Sequence, residues 1–85
     1  MPNILLVEDD SALSELIASY LQRNDFHVRV IARGDHVLDA VRLEKPDLVI
    51  LDLMLPGIDG LQVCRLLRQQ SHCLPILMLT ARDDS

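Results

Sequence analysis

Acidic side chains at the ends of apolar runs are the residues of this sequence best suited to chemistry. Glu8 and Asp9 directly follow the run Ile-Leu-Leu-Val, Asp52 ends a second apolar run, and the hydroxyl of Thr80 ends a later one. Carboxylates held close together repel one another, which raises their pKa values unless a cation compensates. Oxygen ligands favour a hard cation such as Mg²⁺, and a carboxylate beside Mg²⁺ can act as a nucleophile that forms an aspartyl phosphate.

Hydrophobic patterns predict the elements that position these residues. Short uninterrupted apolar runs predict strands covered on both faces, as in a parallel sheet, whereas strict alternation predicts a strand with one solvated face at a sheet edge. Apolar residues at helical spacing predict three helices, and the stripe from Leu13 to Leu21 in the first is expected in the core. The expected strands are 4–7, 26–30, 48–52 and 75–80, and the expected helices are 11–23, 34–45 and 60–69.

The order of these elements, β-α-β-α-β-α-β, predicts an α/β fold with a parallel sheet and right-handed crossovers. With the alternating strand at the edge, the expected strand order is 2-1-3-4. The first helix then covers one face and the other two cover the opposite face. The winding direction reverses between strands 1 and 3, and open sheets bind ligands beyond the carboxyl ends of the strands at such a point. Glu8, Asp9 and Asp52 are therefore expected to meet there, with Thr80 beside them.

Each of these residues also has an ordinary structural interpretation. An acid after a strand commonly caps the next helix, which suffices to explain Asp10, and Thr is common in strands. Asp52 taken alone is more simply a solvated strand end, but acids on two adjacent strands at the point of reversal favour a site. We also expect Asn24 to end the first helix in the left-handed conformation.

The composition excludes several classes of protein. The 85 residues are 49% apolar and 25% charged, as in ordered globular domains and not in disordered chains. The longest apolar runs are far shorter than the ~18–20 residues that span a bilayer, so no membrane is expected as a partner. A net charge of −5, with one Tyr and one Phe, disfavours direct binding to nucleic acid. Cys64 and Cys73 are typical of reduced thiols, which indicates a cytoplasmic protein.

Three motifs together resemble the receiver domain of two-component response regulators. They are ILLVEDD at 4–10, LDLMLPGIDG at 51–60 and LPILMLTAR at 74–82, at the family's spacing. The wording MLPG and LTAR resembles especially the transcription-factor subfamily that carries a winged-helix DNA-binding domain after the receiver. The resemblance implies a flavodoxin-like, doubly wound parallel sheet, which agrees with the predicted element order.

The resemblance also implies a role for each residue of the site. Asp52 would be the phosphoacceptor, phosphorylated by a partner histidine kinase. Asp9 and Asp52 would bind Mg²⁺ directly with the backbone carbonyl of Met54, and Glu8 would act through a metal-bound water. Thr80 would hydrogen-bond the phosphoryl group and move toward it, which biases a two-state surface. The output would be regulation of transcription through a DNA-binding domain outside this sequence.

The family's domain continues with a fourth helix, a fifth strand ending in a lysine and a fifth helix, none of which is expected in residues 1–85. Lys45, the only lysine, precedes the third strand at the opposite end of the sheet from Asp52. We therefore expect residues 1–85 to be an incomplete receiver domain with weak or absent phosphorylation. Its open fourth strand is expected to make the piece dimerise, swap strands with another copy or aggregate, or else the ordered region stops here within a longer chain.

Two alternatives to a phosphoacceptor remain at this point. One is a receiver-like interaction domain that is never phosphorylated, which the missing lysine would suit. The other is a Mg²⁺-dependent phosphohydrolase with an aspartyl nucleophile. Such enzymes usually have a second acid two positions after the first, and Met54 occupies that position here. The sequence therefore favours a phosphoacceptor that is not an enzyme.

Overall fold

The computed structural model describes residues 2–52, 60–70 and 73–79. Four strands alternate with three α-helices in the described residues, as the sequence predicts. In chain order they are β1 (Asn3–Val7), α1 (Ser11–Arg23), β2 (His27–Ile31), α2 (Val37–Glu44), β3 (Leu48–Asp52), α3 (Gly60–Gln70) and β4 (Ile76–Leu79). A single 3₁₀ turn, Gly34–His36, leads into α2, so the α-helix proper begins three residues later than expected. None of the helices described is long and apolar enough to cross a membrane.

The strands form one parallel sheet in the order β2-β1-β3-β4, which confirms the predicted topology. β1 lies between β2 and β3, and its last residue, Val7, is level with Ile31 on one side and Leu51 on the other. At the same edge, Asp52 is level with Leu79 of β4. The register therefore brings the ends of β1 and β3, and the acids that follow them, to one position.

Alternate side chains of the strands build two separate hydrophobic cores. On one face, β1 and β3 pack against α2 and α3, and the cluster of buried residues consists of Leu5, Val7, Val37, Ala40, Val41, Val49, Leu51, Val63, Leu67 and Leu74. On the other face, Ile4, Leu6 and Ile50 are buried beneath α1. The predicted division of the helices, one against two, is confirmed.

The apolar stripe of α1 was expected to lie entirely in the core, and this expectation is wrong. Leu16 and Tyr20 are 68% and 64% exposed, and Leu13 is also exposed. Ile17 and Leu21 pack against the sheet, and an open groove of about 390 Å³ lies between α1 and Ile50. Among the described elements, α2 and α3 pack on the opposite face of the sheet. No described helix therefore lies beside α1, and the flank of its stripe stays in solvent.

The two ends of α1 are closed by different means. At the N-terminal end, the Asp10 side chain accepts a hydrogen bond from the backbone N–H of Leu13, so the expected cap is confirmed. At the C-terminal end, Asn24 was expected in the left-handed conformation, but its φ is −99° and the left-handed residue is Asp25, at φ 70°. Asn24 instead donates from its side chain to the carbonyl of Tyr20, which satisfies a carbonyl at the helix end without a left-handed residue at that position.

Candidate acidic site

The acids predicted to meet at the edge of the sheet do so. β1 and β3 are neighbours, and because Val7 is level with Leu51, the next residues along each strand are Glu8 and Asp52. Both are buried, with 5% and 8% of their surface exposed, whereas Asp9 is exposed. Two carboxyl groups in this position are withdrawn from solvent, and a third lies at the rim.

One carboxylate oxygen from each of Glu8, Asp9 and Asp52 lies within 4.8 Å of the others. The pKa of Glu8 is raised above its ordinary value, chiefly because burial disfavours its charged form. The backbone N–H of Asp10 opposes that shift by donating to the Glu8 carboxylate, while the negative charge of Asp52 and a hydrogen bond with its carboxyl group add to it. Three acids thus crowd a space in which a cation would relieve their repulsion.

Glu8 is held from two directions. Its backbone N–H donates to the carbonyl of Ile31 at the end of β2, at 2.9 Å, and its Oε2 accepts from the backbone N–H of Asp10 at 3.1 Å. These contacts fix the carboxyl group at the end of β1 and direct it into the site. Sequence patterns predict that the Asp10 side chain caps α1. They do not predict that the Asp10 backbone N–H donates to Glu8, because every residue except proline carries such a group.

The donor set of the site fits Mg²⁺. This ion takes oxygen ligands at 2.0–2.1 Å in octahedral geometry, so neighbouring ligands lie about 3 Å apart and opposite ones about 4 Å. The carboxylate oxygens of the cluster, within 4.8 Å of one another, lie close to these spacings. The exposed Asp9 places one acid of the cluster at the protein surface.

The receiver domain family of response regulators matches this chain over residues 4–85. The match covers nearly the whole sequence and includes the acidic residues at the ends of β1 and β3. The chain belongs to the response regulator receiver domain family. A receiver domain is a phosphoacceptor, not a catalytic enzyme, so the chain is a signalling module of a two-component system.

Relatives and solved structures agree with this assignment. The DNA-binding response regulator MtrA of Mycobacterium tuberculosis is 50% identical over 82 residues, which cover 96% of this chain and 36% of MtrA. The BeF₃-activated N-terminal receiver domain of Klebsiella pneumoniae RstA superposes with a TM-score of 0.90 at 48% identity, over 98% of this chain and 70% of that structure. This receiver domain thus spans about a third of the curated relative's length.

A third comparison concerns the metal. The response regulator TrrA of Thermotoga maritima, solved in complex with Mg²⁺ and BeF, superposes with a TM-score of 0.92 at 34% identity, over 98% of this chain and 72% of that structure. The acidic cluster of Glu8, Asp9 and Asp52 is typical of the magnesium site of receiver domains.

Two of the predicted site residues, Met54 and Thr80, lie outside the described residues of this receiver domain. Lys45 is described, and it follows α2 with a left-handed φ of 49°. It precedes β3, whereas Asp52 ends that strand, and the four steps from Leu48 to Asp52 span about 13 Å. Lys45 is therefore at the opposite end of the sheet from Asp52, as expected.

Proposed function

We propose that Asp52 accepts a phosphoryl group from a partner histidine kinase in a Mg²⁺-dependent reaction. The observation that carries this proposal is the burial of Asp52 beside Glu8, with an oxygen of Asp9 completing a cluster within 4.8 Å. A carboxylate buried beside two other acids carries an electrostatic cost that a bound cation would offset. This arrangement suits chemistry that needs both a nucleophile and a cation.

In the transfer, a carboxylate oxygen of Asp52 forms a bond to phosphorus as the bond from phosphorus to the histidine nitrogen of the kinase breaks. Asp9, Asp52 and the carbonyl of Met54 would hold Mg²⁺ directly, and Glu8 would contact it through water. When bound, Mg²⁺ supplies the positive charge that phosphoryl transfer requires among these acids. Thr80 would hydrogen-bond the transferred group and shift toward it, and this shift would start the conformational change.

The relatives support a proposal for the output of the whole protein. MtrA is named a DNA-binding response regulator. We propose that phosphorylation here likewise regulates transcription in the cytoplasm, through a DNA-binding domain outside residues 1–85. We also propose that residues 1–85 lack the fourth helix, fifth strand and fifth helix of a complete receiver domain.

The test is phosphorylation by acetyl phosphate with Mg²⁺, followed by mass spectrometry of the intact protein. It compares the 85-residue chain with a chimera that continues it with the rest of the MtrA receiver domain. We expect the chimera to gain one phosphoryl group, the short chain to gain little, and EDTA to prevent the gain. Asp52→Asn should abolish it, whereas Asp39→Asn, which changes an exposed acid on α2, should not.

Other outcomes of this experiment would support other functions. Steady release of phosphate without a stable adduct would indicate an aspartyl phosphohydrolase. A chimera that gains no mass under any condition would indicate an interaction domain that works without phosphorylation. A gain that persists in Asp52→Asn would refute the assignment of the phosphoacceptor.

We also propose that this chain pairs with a second copy through β4. Within the described part of the sheet, β4 is hydrogen-bonded to β3 on one side and forms the edge, and Leu77 and Met78 on it are 53% and 43% exposed. An exposed apolar edge strand favours pairing between chains. Light scattering should detect a dimer that Leu77→Lys dissociates, and a monomer at high concentration would refute the pairing.

A further inference from the structure

We propose that Asp10 is a positioning residue of the acidic site. By capping α1 with its side chain, Asp10 fixes the direction of its own backbone N–H and thereby keeps the Glu8 carboxylate turned toward Asp52. The inference rests on the proposed function only where Mg²⁺ is concerned, because the arrangement itself consists of contacts within the chain.

Three hydrogen bonds converge on Asp10. Its Oδ1 accepts from the backbone N–H of Leu13 at 3.2 Å, and its carbonyl accepts from the backbone N–H of Ser14 at 2.9 Å. These two contacts tie Asp10 to the first turn of α1, with an extended backbone at φ −81° and ψ 109°. The third, from the Asp10 N–H to Oε2 of Glu8 at 3.1 Å, therefore points in a direction that the helix has already set.

The Glu8 side chain needs such a restraint. Its backbone is fixed to the end of β2 through the carbonyl of Ile31, so rotation of the side chain is the freedom that remains. Burial beside Asp52 and Asp9 is unfavourable for an ionised Glu8, because like charges repel and water solvates the charge better, and both effects favour rotation of the side chain away from the site. A hydrogen bond from the Asp10 N–H to the ionised carboxylate offsets this tendency.

The Asp10 carboxylate itself is engaged elsewhere. The oxygens that lie within 4.8 Å of one another belong to Glu8, Asp9 and Asp52, whereas Oδ1 of Asp10 accepts from the helix. Asp10 thus acts on the site through Glu8. The effect of its cap can therefore be separated by experiment from the effect of its negative charge.

The deciding comparison is between Asp10→Asn and Asp10→Ala. Both remove the same charge, but Asn is a good cap and Ala is not. We expect Asp10→Ala to bind Mg²⁺ about tenfold more weakly than Asp10→Asn, the lower end of the usual loss when a residue that supports a metal site from outside the direct ligands is changed. Titration of each variant with Mg²⁺, followed by ¹H–¹⁵N NMR, measures the ratio, in which the charge effect cancels because both variants lose the same charge. Affinities within twofold of each other would overturn the proposal.

A control and a second variant separate positioning from general stability. Asn24→Ala removes the hydrogen bond at the other end of the same helix and should leave Mg²⁺ affinity unchanged. Where Asp10→Ala unfolds, Asp10→Gly serves in its place, since Gly at a cap costs only a few tenths of a kcal/mol while offering no side-chain acceptor. An equal loss of affinity in Asn24→Ala would show that helix stability alone is responsible, and would also overturn the proposal.

A metal-free measurement keeps the inference separate from the proposed function. The side-chain carboxyl ¹³C resonance of Glu8 should keep its wild-type position in Asp10→Asn and move in Asp10→Ala. Wild-type protein that binds no Mg²⁺ would refute the metal role in the proposed function. The ¹³C resonance would still decide the positioning role, and an unmoved resonance in Asp10→Ala would refute it.

Discussion

Replacing Glu8 by Gln should stabilise the metal-free protein at neutral pH. Glutamine keeps the shape of a protonated glutamate: its oxygen can accept from the Asp10 N–H, and its amide can donate to Asp52. The change removes one negative charge from a buried position 4.8 Å or less from the Asp52 oxygen. The substitution removes the cost of burying the Glu8 charge, which is the chief cause of its raised pKa, together with the repulsion from Asp52, and it keeps the packing.

The expected gain in the free energy of unfolding follows from the distance between the carboxylate oxygens of Glu8 and Asp52. Two unit charges 4.8 Å apart repel by about 1 kcal/mol at the dielectric constant of water and by about 3.5 kcal/mol at an effective value of 20. Because the site opens to solvent on the side of Asp9, we expect Glu8→Gln to raise the free energy of unfolding by about 1–2 kcal/mol at pH 8. In a domain of this size that is a rise in Tm of about 4–8 °C per kcal/mol.

The effect must depend on pH in a defined direction. The pKa of Glu8 is higher in the folded protein than its ordinary value of 4.5. In the range between the two values the folded state binds more protons than the unfolded state, so wild-type stability falls as pH rises above about 4.5. Glu8→Gln cannot lose this proton, and the stability difference between variant and wild type should grow from near zero at pH 4 to its full value at pH 8.

Urea unfolding in EDTA across pH 4–8 measures this difference. Glu15→Gln, a change at an exposed acid on α1, is the control and should leave stability within about 0.5 kcal/mol of wild type. Excess Mg²⁺ should stabilise the wild type and stabilise Glu8→Gln less, because the metal then finds fewer negative charges to compensate. A variant that is no more stable than wild type at pH 8 would refute the account of the site as a repulsive cluster.

Three further predictions concern the scaffold, and each is tested by thermal or urea unfolding. Lys45→Gly should stabilise the chain by about 0.5–1 kcal/mol, since Lys45 has a left-handed φ of 49°, and an equal gain in Lys45→Ala would contradict this reason. Leu67→Ala should cost about 2–5 kcal/mol because Leu67 is fully buried, whereas Leu43→Ala, 81% exposed on α2, should cost under about 0.5 kcal/mol. Leu16→Ala should cost less than about 1 kcal/mol, and a loss as large as that of Leu67→Ala would show that α1 is packed as the sequence pattern suggests, with Leu16 in the core.

The order of the strands could be predicted because local patterns and general rules agree for this chain. Uninterrupted apolar runs distinguish the central β1 and β3 from the alternating edge strand β2, and right-handed crossovers leave one arrangement of the helices. The acids at the ends of β1 and β3 then fall side by side without any knowledge of side-chain positions. Topology alone therefore predicted the meeting of Glu8 and Asp52.

Packing could not be predicted in the same way, and α1 shows why. Its stripe of five apolar residues has the spacing of a buried helix face, yet Leu16 and Tyr20 lie in solvent. Periodicity reports which side of a helix is apolar, but the elements that pack against and beside the helix decide how much of that side is covered. The end of the helix was not predicted correctly either: the side chain of Asn24 donates to the carbonyl of Tyr20, and the left-handed residue is Asp25.

Residue types and their spacing therefore determined the family, the sheet order and the identity of the acidic residues, since these depend on patterns that are present in the sequence itself. Only the tertiary structure decided how deeply Glu8 and Asp52 are buried, how near their oxygens approach, and which backbone group holds Glu8 in place. These quantities depend on the convergence of β1, β2, β3 and the first turn of α1 at one point. Burial and proximity raise the pKa of Glu8 and make the three carboxyl groups repel one another, and a bound cation would relieve that repulsion.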